Sequence, residues 1–182
     1  MVKSILLTIV LFLLLVLGCQ DTKQPVVILS EKIRIKSEVA LTKWVYEHSK
    51  QTSLATCKEI VQESLKTDKP LLMLSLIEVE SNFVITAVSI KGAMGLSQVM
   101  PGIHEKELIA KSIIKERRDL FDIIPSVRAG NLVLSSCLKQ SKDDVPKALE
   151  LYLGGQDGWY VKRILSNLAN LDLLWWKLQN EI

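Results

Sequence analysis

Glu80 is a carboxylate set on the apolar side of a segment with helical spacing, and that segment stops just after it. The stretch runs Asp68-Lys69-Pro70, then Leu71 to Glu80, then Ser81-Asn82-Phe83. Counting back from Glu80 by three, four, seven and eight residues reaches Ile77, Leu76, Met73 and Leu72, the stripe that a helix turns toward a core. A carboxyl on such a stripe has a partner or a purpose. Burial raises its pKa, and the negative end of the helix dipole pushes it the same way. A Glu kept protonated near neutral pH suits a general acid. The rival reading is a Glu at a fraying helix end, paired to a Lys. Glu78 lies about 200° around the helix from Glu80. It shares a side with Ser75 and is expected to face water. His48 and His104 sit in no arrangement that suggests catalysis. No His, Cys, Asp and Glu share metal-ligand spacing, so neither a metal nor any other cofactor is expected.

The elements that must position Glu80 read as helices. Val39-Ala40, Trp44-Val45 and Tyr46 suggest a first helix that ends near His48. Ser53 is placed to cap a second, through Ala55, Ile60, Val61 and Leu65. Asp68, with Pro70 just inside, marks the start of the Glu80 helix. Gly92, Gly95 and Pro101 bracket a loop in which one short helix is expected at 96–100. Pro125 opens a helix through Val127, Leu132 and Leu134; Asp119 and Asp122 before it are read as loop and cap residues, with a second catalytic carboxylate to partner Glu80 as the rival reading. Asp144 and Pro146 open another through Leu149 and Tyr152, stopped by Gly154-Gly155. Tyr160, Ile164, Leu168, Leu171, Trp175 and Leu178 form a long apolar stripe for the last helix. The fold class is all-α, one domain over residues 38–182.

Length and composition agree with that reading. The chain has 182 residues, 48% hydrophobic and 24% charged, which fits one globular domain plus a leader. A net charge of +3 gives no sign of nucleic-acid binding. Residues 1–18 read as a signal peptide, with Lys3 ahead of an apolar run from Ile5 to Leu17. Val16-Leu17-Gly18-Cys19 resembles a bacterial lipoprotein box, which implies cleavage before Cys19 and lipidation of its thiol. A plain secretory signal and an uncleaved anchor are the alternatives, and all three send the domain out of the cytoplasm. Residues 19–37 then form the lipidated N-terminus and a tether, with a short strand possible at 26–29. Gln20 after the Cys points to the outer membrane of a Gram-negative cell. Cys57 and Cys137 remain, as a disulfide or as buried free thiols.

From Leu74 to Pro101 the chain resembles the core of the lytic transglycosylase (SLT-type) domains of the lysozyme-like superfamily. The residues are Glu80-Ser81-Asn82-Phe83, Ala87-Val88-Ser89, Gly92-Ala93-Met94-Gly95-Leu96-Ser97-Gln98 and Pro101. Ala148-Leu149-Glu150-Leu151-Tyr152-Leu153-Gly154-Gly155 is similar to a later block of that family, and Tyr160-Val161 to the pair that follows it. The resemblance implies a monomeric lysozyme-like domain acting on peptidoglycan glycan strands, with the lipid anchor as its membrane contact and its face toward the periplasm. It implies Glu80 as the catalytic acid, then base, in cutting the β-1,4 bond between N-acetylmuramic acid and N-acetylglucosamine, leaving a 1,6-anhydro end. It also implies substrate-binding roles for Ser81, Gln98, Tyr152 and Tyr160. Ser81 would orient the Glu or a substrate carbonyl, Gln98 would line the cleft, and Tyr152 would reach toward Glu80 or the sugar. Tyr152 could equally be a core aromatic with a satisfied hydroxyl, and Tyr160 core alone. The chain departs from the family pattern at Ser97, where Met is common, at Ser126, near a frequent Asn, and at Leu153, where Asn follows the Tyr. A lysozyme-like hydrolase and a catalytically idle glycan-binding module are the competing functions.

Overall fold

A computed structural model describes the backbone of residues 24–50 and 52–180, and side chains from Arg34 onward. The leader and Cys19 lie outside the described residues. The chain divides into two units, Met1–Ile35 and Lys36–Ile182. In the first, the described backbone is helical from Gln24. The short strand expected at 26–29 is therefore not formed. A lone strand would leave its N–H and C=O groups without a ladder, whereas a helix pairs them within the segment.

Among the described residues the chain is helix and turn, apart from isolated bridges of Met94 with Val88 and Val99, and the first helix begins in the first unit. In order come α1 (Gln24–His48), α2 (Leu54–Ser64), α3 (Pro70–Ser81), α4 (Pro101–Ala110), a 3₁₀ turn at Arg117–Phe121, α5 (Ile123–Ser141), α6 (Val145–Leu153) and α7 (Gly158–Asn180). Local chemistry sets most of these boundaries. The Ser53 hydroxyl accepts from the Thr56 N–H at the start of α2, and the Asp144 carboxylate accepts from the Lys147 N–H at the start of α6. Gly154 ends α6 in the left-handed conformation at φ 73°. The Asp119 carboxylate takes the N–H groups of Lys115 and Glu116, and Asp122 is the N-cap residue of α5, as loop and cap residues should be.

Three boundaries differ from expectation. α5 begins at Ile123, two residues before Pro125. Lys69, without a side-chain bond, occupies the N-cap of α3, and Asp68 instead accepts the Ser135 hydroxyl at 2.9 Å. Pro70 alone starts that helix, its fixed φ suited to the first turn. Residues 96–100 form a tight turn rather than a helix, and α4 begins at Pro101. Gly95 at φ 77° and Gln98 at φ 48° break the helical path, and Met94 exchanges backbone bonds with Val99 across the turn.

The core is built around α3. Leu72, Met73, Leu74, Leu76 and Ile77 are all buried, so the helix is covered on every side rather than along one stripe. α7 packs most extensively against it, with α2 and α5 on other faces. Leu41, Trp44 and Val45 of α1, Ile60 and Val61 of α2, and Leu149 of α6 join this cluster. Glu63 of α2, buried, pairs with Arg128 of α5 at 2.7 Å. A second cluster of Val99, Leu108, Ile114, Leu120 and Ala129 holds α4 and the 3₁₀ turn. Cys57 and Cys137 are both buried free thiols.

Gly95 joins the two clusters by close approach. A Cβ there would stand 1.9 Å from the Leu120 carbonyl oxygen and 2.6 Å from the Ser126 hydroxyl. At Gly92, also at positive φ, a Cβ meets nothing within 4 Å. Gly92→Ala should therefore cost about 1 kcal/mol, the penalty of left-handed backbone alone. Gly95→Ala should cost about 2–5 kcal/mol, because overpacking is added. Denaturant unfolding of the two variants checks the order; equal losses would contradict the contact.

Candidate active site

α3 delivers two carboxyls to its last turn and then ends. The N–H of Asn82 closes on the Glu78 carbonyl, with Asn82 left-handed at φ 49° and Phe83 following at φ 61°. Positive φ is unfavourable for a bulky side chain. Phe83 is held there by complete burial, by an edge-on contact with the Trp44 ring at 6.0 Å, and by the Thr52 hydroxyl donating to its carbonyl. The chain thus turns off the helix just past Glu80.

Glu80 is partly buried, and the Tyr160 hydroxyl donates to its Oε1 at 2.5 Å. Burial raises its pKa from 4.5 to about 7, and the bond from Tyr160 works in the opposite direction. Tyr160 stands on the first turn of α7, where Asp157 accepts the N–H groups of Trp159 and Tyr160. Burial, then the nearby Glu80, holds the Tyr160 phenol far above its ordinary range, so it acts as a donor. Tyr152 lies close enough to Glu80 to have its own pKa raised by that charge, after burial. The buried Cys137 thiol of α5 acts on both tyrosines in the same sense.

Glu78 does not face water. It is buried, with Arg163 donating to Oε1 at 2.8 Å and Asn167 to Oε2 at 2.7 Å, and Ser75 beside it is buried as well. The expectation failed because α3 has no solvent side: α7 covers the face opposite the apolar stripe. The signal in the sequence was the register of Tyr160, Arg163 and Asn167, which share one face of α7 at helical spacing.

The other expected site residues are placed as follows. Ser81 is buried and donates to the Ile77 carbonyl of its own helix at 3.2 Å. Gln98 donates its side-chain amide to the carbonyls of Ala87 and Gly95, at 3.1 and 2.9 Å, and so ties the loop of residues 87–98. Tyr152, partly buried against the core, donates its hydroxyl to the Ser97 carbonyl at 2.7 Å and makes no direct bond to Glu80. The structure therefore brings Tyr160 onto Glu80 and gives Ser81, Gln98 and Tyr152 bonds to backbone around it. Ser126 accepts from the Ser97 N–H at 3.4 Å, and Leu153 is exposed on the last turn of α6. His48 bonds the Trp44 carbonyl and stacks on its ring. Among the described residues no group of three His, Cys, Asp or Glu is placed to hold a metal.

The family model for the transglycosylase SLT domain matches residues 59–160, from the middle of α2 to the tyrosine on Glu80. No curated protein and no solved structure matches the chain.

The raised carboxyl predicts a stability profile. Its folded pKa of about 7 lies above the ordinary 4.5, so the folded state binds more protons. That stability is fully present below about 4.5 and is lost as pH rises through about 7. Glu80→Gln, which keeps an acceptor for Tyr160, removes the dependence. It should match the unaltered protein at acid pH and exceed it above neutrality by up to about 3 kcal/mol. Denaturant melts on either side of the transition check this. A variant less stable at alkaline pH would contradict it.

Proposed function

The chain belongs to the transglycosylase SLT domain family, and from that premise we propose that it is a peptidoglycan lytic transglycosylase with Glu80 as its only acid and base. The observation that carries this is the partly buried Glu80 carboxyl, its pKa lifted to about 7, with a tyrosine hydroxyl on one oxygen. The other carboxyl of α3 is already engaged, Glu78 by Arg163 and Asn167, and Asp119 takes backbone N–H groups of its own turn. A mechanism that needs one carboxyl suits this arrangement better than one that needs two.

In the first step Glu80 gives its proton to the bridging oxygen between N-acetylmuramic acid and N-acetylglucosamine. The bond from that oxygen to the muramic C1 breaks, and the carbonyl oxygen of the 2-acetamido group attacks C1 from the same ring. In the second step the Glu80 carboxylate takes the proton of the 6-hydroxyl, whose oxygen displaces the acetamide at C1. A 1,6-anhydro ring forms and Glu80 is protonated again. Near-neutral pKa serves both halves, since the same group must give and then recover a proton. Tyr160 holds one oxygen, fixing the carboxyl's orientation and stabilising its charged form between the steps. Exposed Leu153, beside Tyr152, offers the glycan an apolar contact where relatives carry an amide. The domain would work on the periplasmic side of the envelope, tethered through Cys19, although that segment lies outside the described residues.

Purified sacculi incubated with the protein should release muropeptides with anhydro ends, lighter by one water than hydrolysis products, as read by mass spectrometry. Glu80→Gln should lower release by at least about 100-fold. Hydrated reducing ends would establish the hydrolase reading instead. Leu153→Asn should raise turnover by no more than about tenfold, the worth of one hydrogen bond; a loss of turnover would contradict the gain expected from an amide there.

A further inference from the structure

Glu78 takes no part in the chemistry above, yet it is the most firmly held carboxylate in α3. It is 5% exposed, and each of its oxygens receives a different side chain of α7. Arg163 is steadied from its other side by the Trp159 ring, 5.3 Å away. Three residues before Arg163, on the same face of α7, Tyr160 donates to Glu80. Three bonds therefore tie the last turn of α3 to one face of α7, from positions 78 and 80 on opposite sides of α3 to positions 160, 163 and 167. A guanidinium and an amide on separate oxygens of one carboxylate set both the rotation of α7 and its position along α3. The Tyr160 bond is the one most sensitive to that setting, because it sits on the first turn of α7, where a helix frays.

We propose that Glu78 is a positioning residue: by gripping Arg163 and Asn167 it sets the register of α7 on α3 and so keeps the Tyr160 hydroxyl on Glu80. Its importance for catalysis rests on the function proposed above, but the register itself can be tested without any activity. The groups facing Glu80 are Tyr160 of α7 and Tyr152 of α6, with the Cys137 thiol of α5 acting on both tyrosines. Those facing Glu78 are Arg163 and Asn167 of α7. This set gives two effects of opposite sign. Loss of the Tyr160 bond, which favours the charged form, raises the Glu80 midpoint. Loss of the Glu78 charge, acting only through its field, lowers that midpoint.

The test is a titration of the Glu80 carboxyl carbon by NMR in the full chain carrying ¹³C-labelled glutamate, with the resonance assigned by its absence in Glu80→Gln. Tyr160→Phe should move the midpoint up by about one unit, the worth of one hydrogen bond to a charged group. Glu78→Gln should also move it up, and once Tyr160 is Phe that upward effect should vanish, leaving at most the small downward shift of the lost field. Asn167→Ala, which changes no charge and leaves Arg163 on Glu78, should shift it upward by less, and it carries the test if Glu78→Gln does not fold. With Tyr160 intact, a downward shift or no shift from Glu78→Gln overturns the proposal, and so does an upward shift that persists in the Tyr160→Phe background. Upward, non-additive shifts in a protein that leaves sacculi intact would uphold the register while removing the proposed function.

Discussion

A carboxyl group carried into an apolar interior must keep its proton or find donors, because the bare charge loses its hydration. α3 carries two such groups on one turn and meets the constraint in both ways. Glu78 gives each oxygen a donor and stands as a buried ion pair. Glu80 has one donor and is partly buried, and its pKa rises to about 7. Two identical side chains two residues apart thus acquire different chemistry from their surroundings alone. All the donors come from α7, so the packing of α3 against α7 is also the electrostatic construction of the site.

Around this pair the remaining motif residues form a frame. Gln98 ties the carbonyls of Ala87 and Gly95, Tyr152 reaches the Ser97 carbonyl from α6, and Ser81 closes on its own helix. Each adds a side-chain bond to a backbone carbonyl near where the chain leaves regular structure, and those of Ala87 and Gly95 also accept the Gly95 and Gln98 N–H groups. Gly95 permits the closest approach, seating the turn against Leu120 and Ser126. Residues that look like ligand contacts in a motif can act one step earlier, by shaping the loop that a glycan would meet.

The sequence made Glu80 legible because its stripe repeats at helical spacing and because it opens the Glu80-Ser81-Asn82-Phe83 motif. The caps at Ser53 and Asp144 and the stop at Gly154 were legible too, since each depends on chemistry within four residues. Glu78 was not. A helical period separates a buried face from an exposed one only when there is an exposed face, and the apolar run from Leu71 to Ile77 already hinted that α3 has none. The turn at 96–100 was misjudged for a related reason: Leu96, Val99 and Met100 have helical spacing, but Gly95 and Gln98 at positive φ are imposed by contacts with distant segments. That Tyr160 rather than Tyr152 meets Glu80 depends on how α6 and α7 pack, which no local pattern records.

Whether Glu80 stands as a neutral acid near physiological pH is read most directly by infrared difference spectroscopy of the unaltered protein against Glu80→Gln. On the acid side of the midpoint at about 7, the difference should show the carbonyl stretch of a protonated carboxyl, giving way to carboxylate bands on the alkaline side. Carboxylate bands alone throughout, with no protonated carbonyl on the acid side until the ordinary carboxylate range near 4.5, would contradict it.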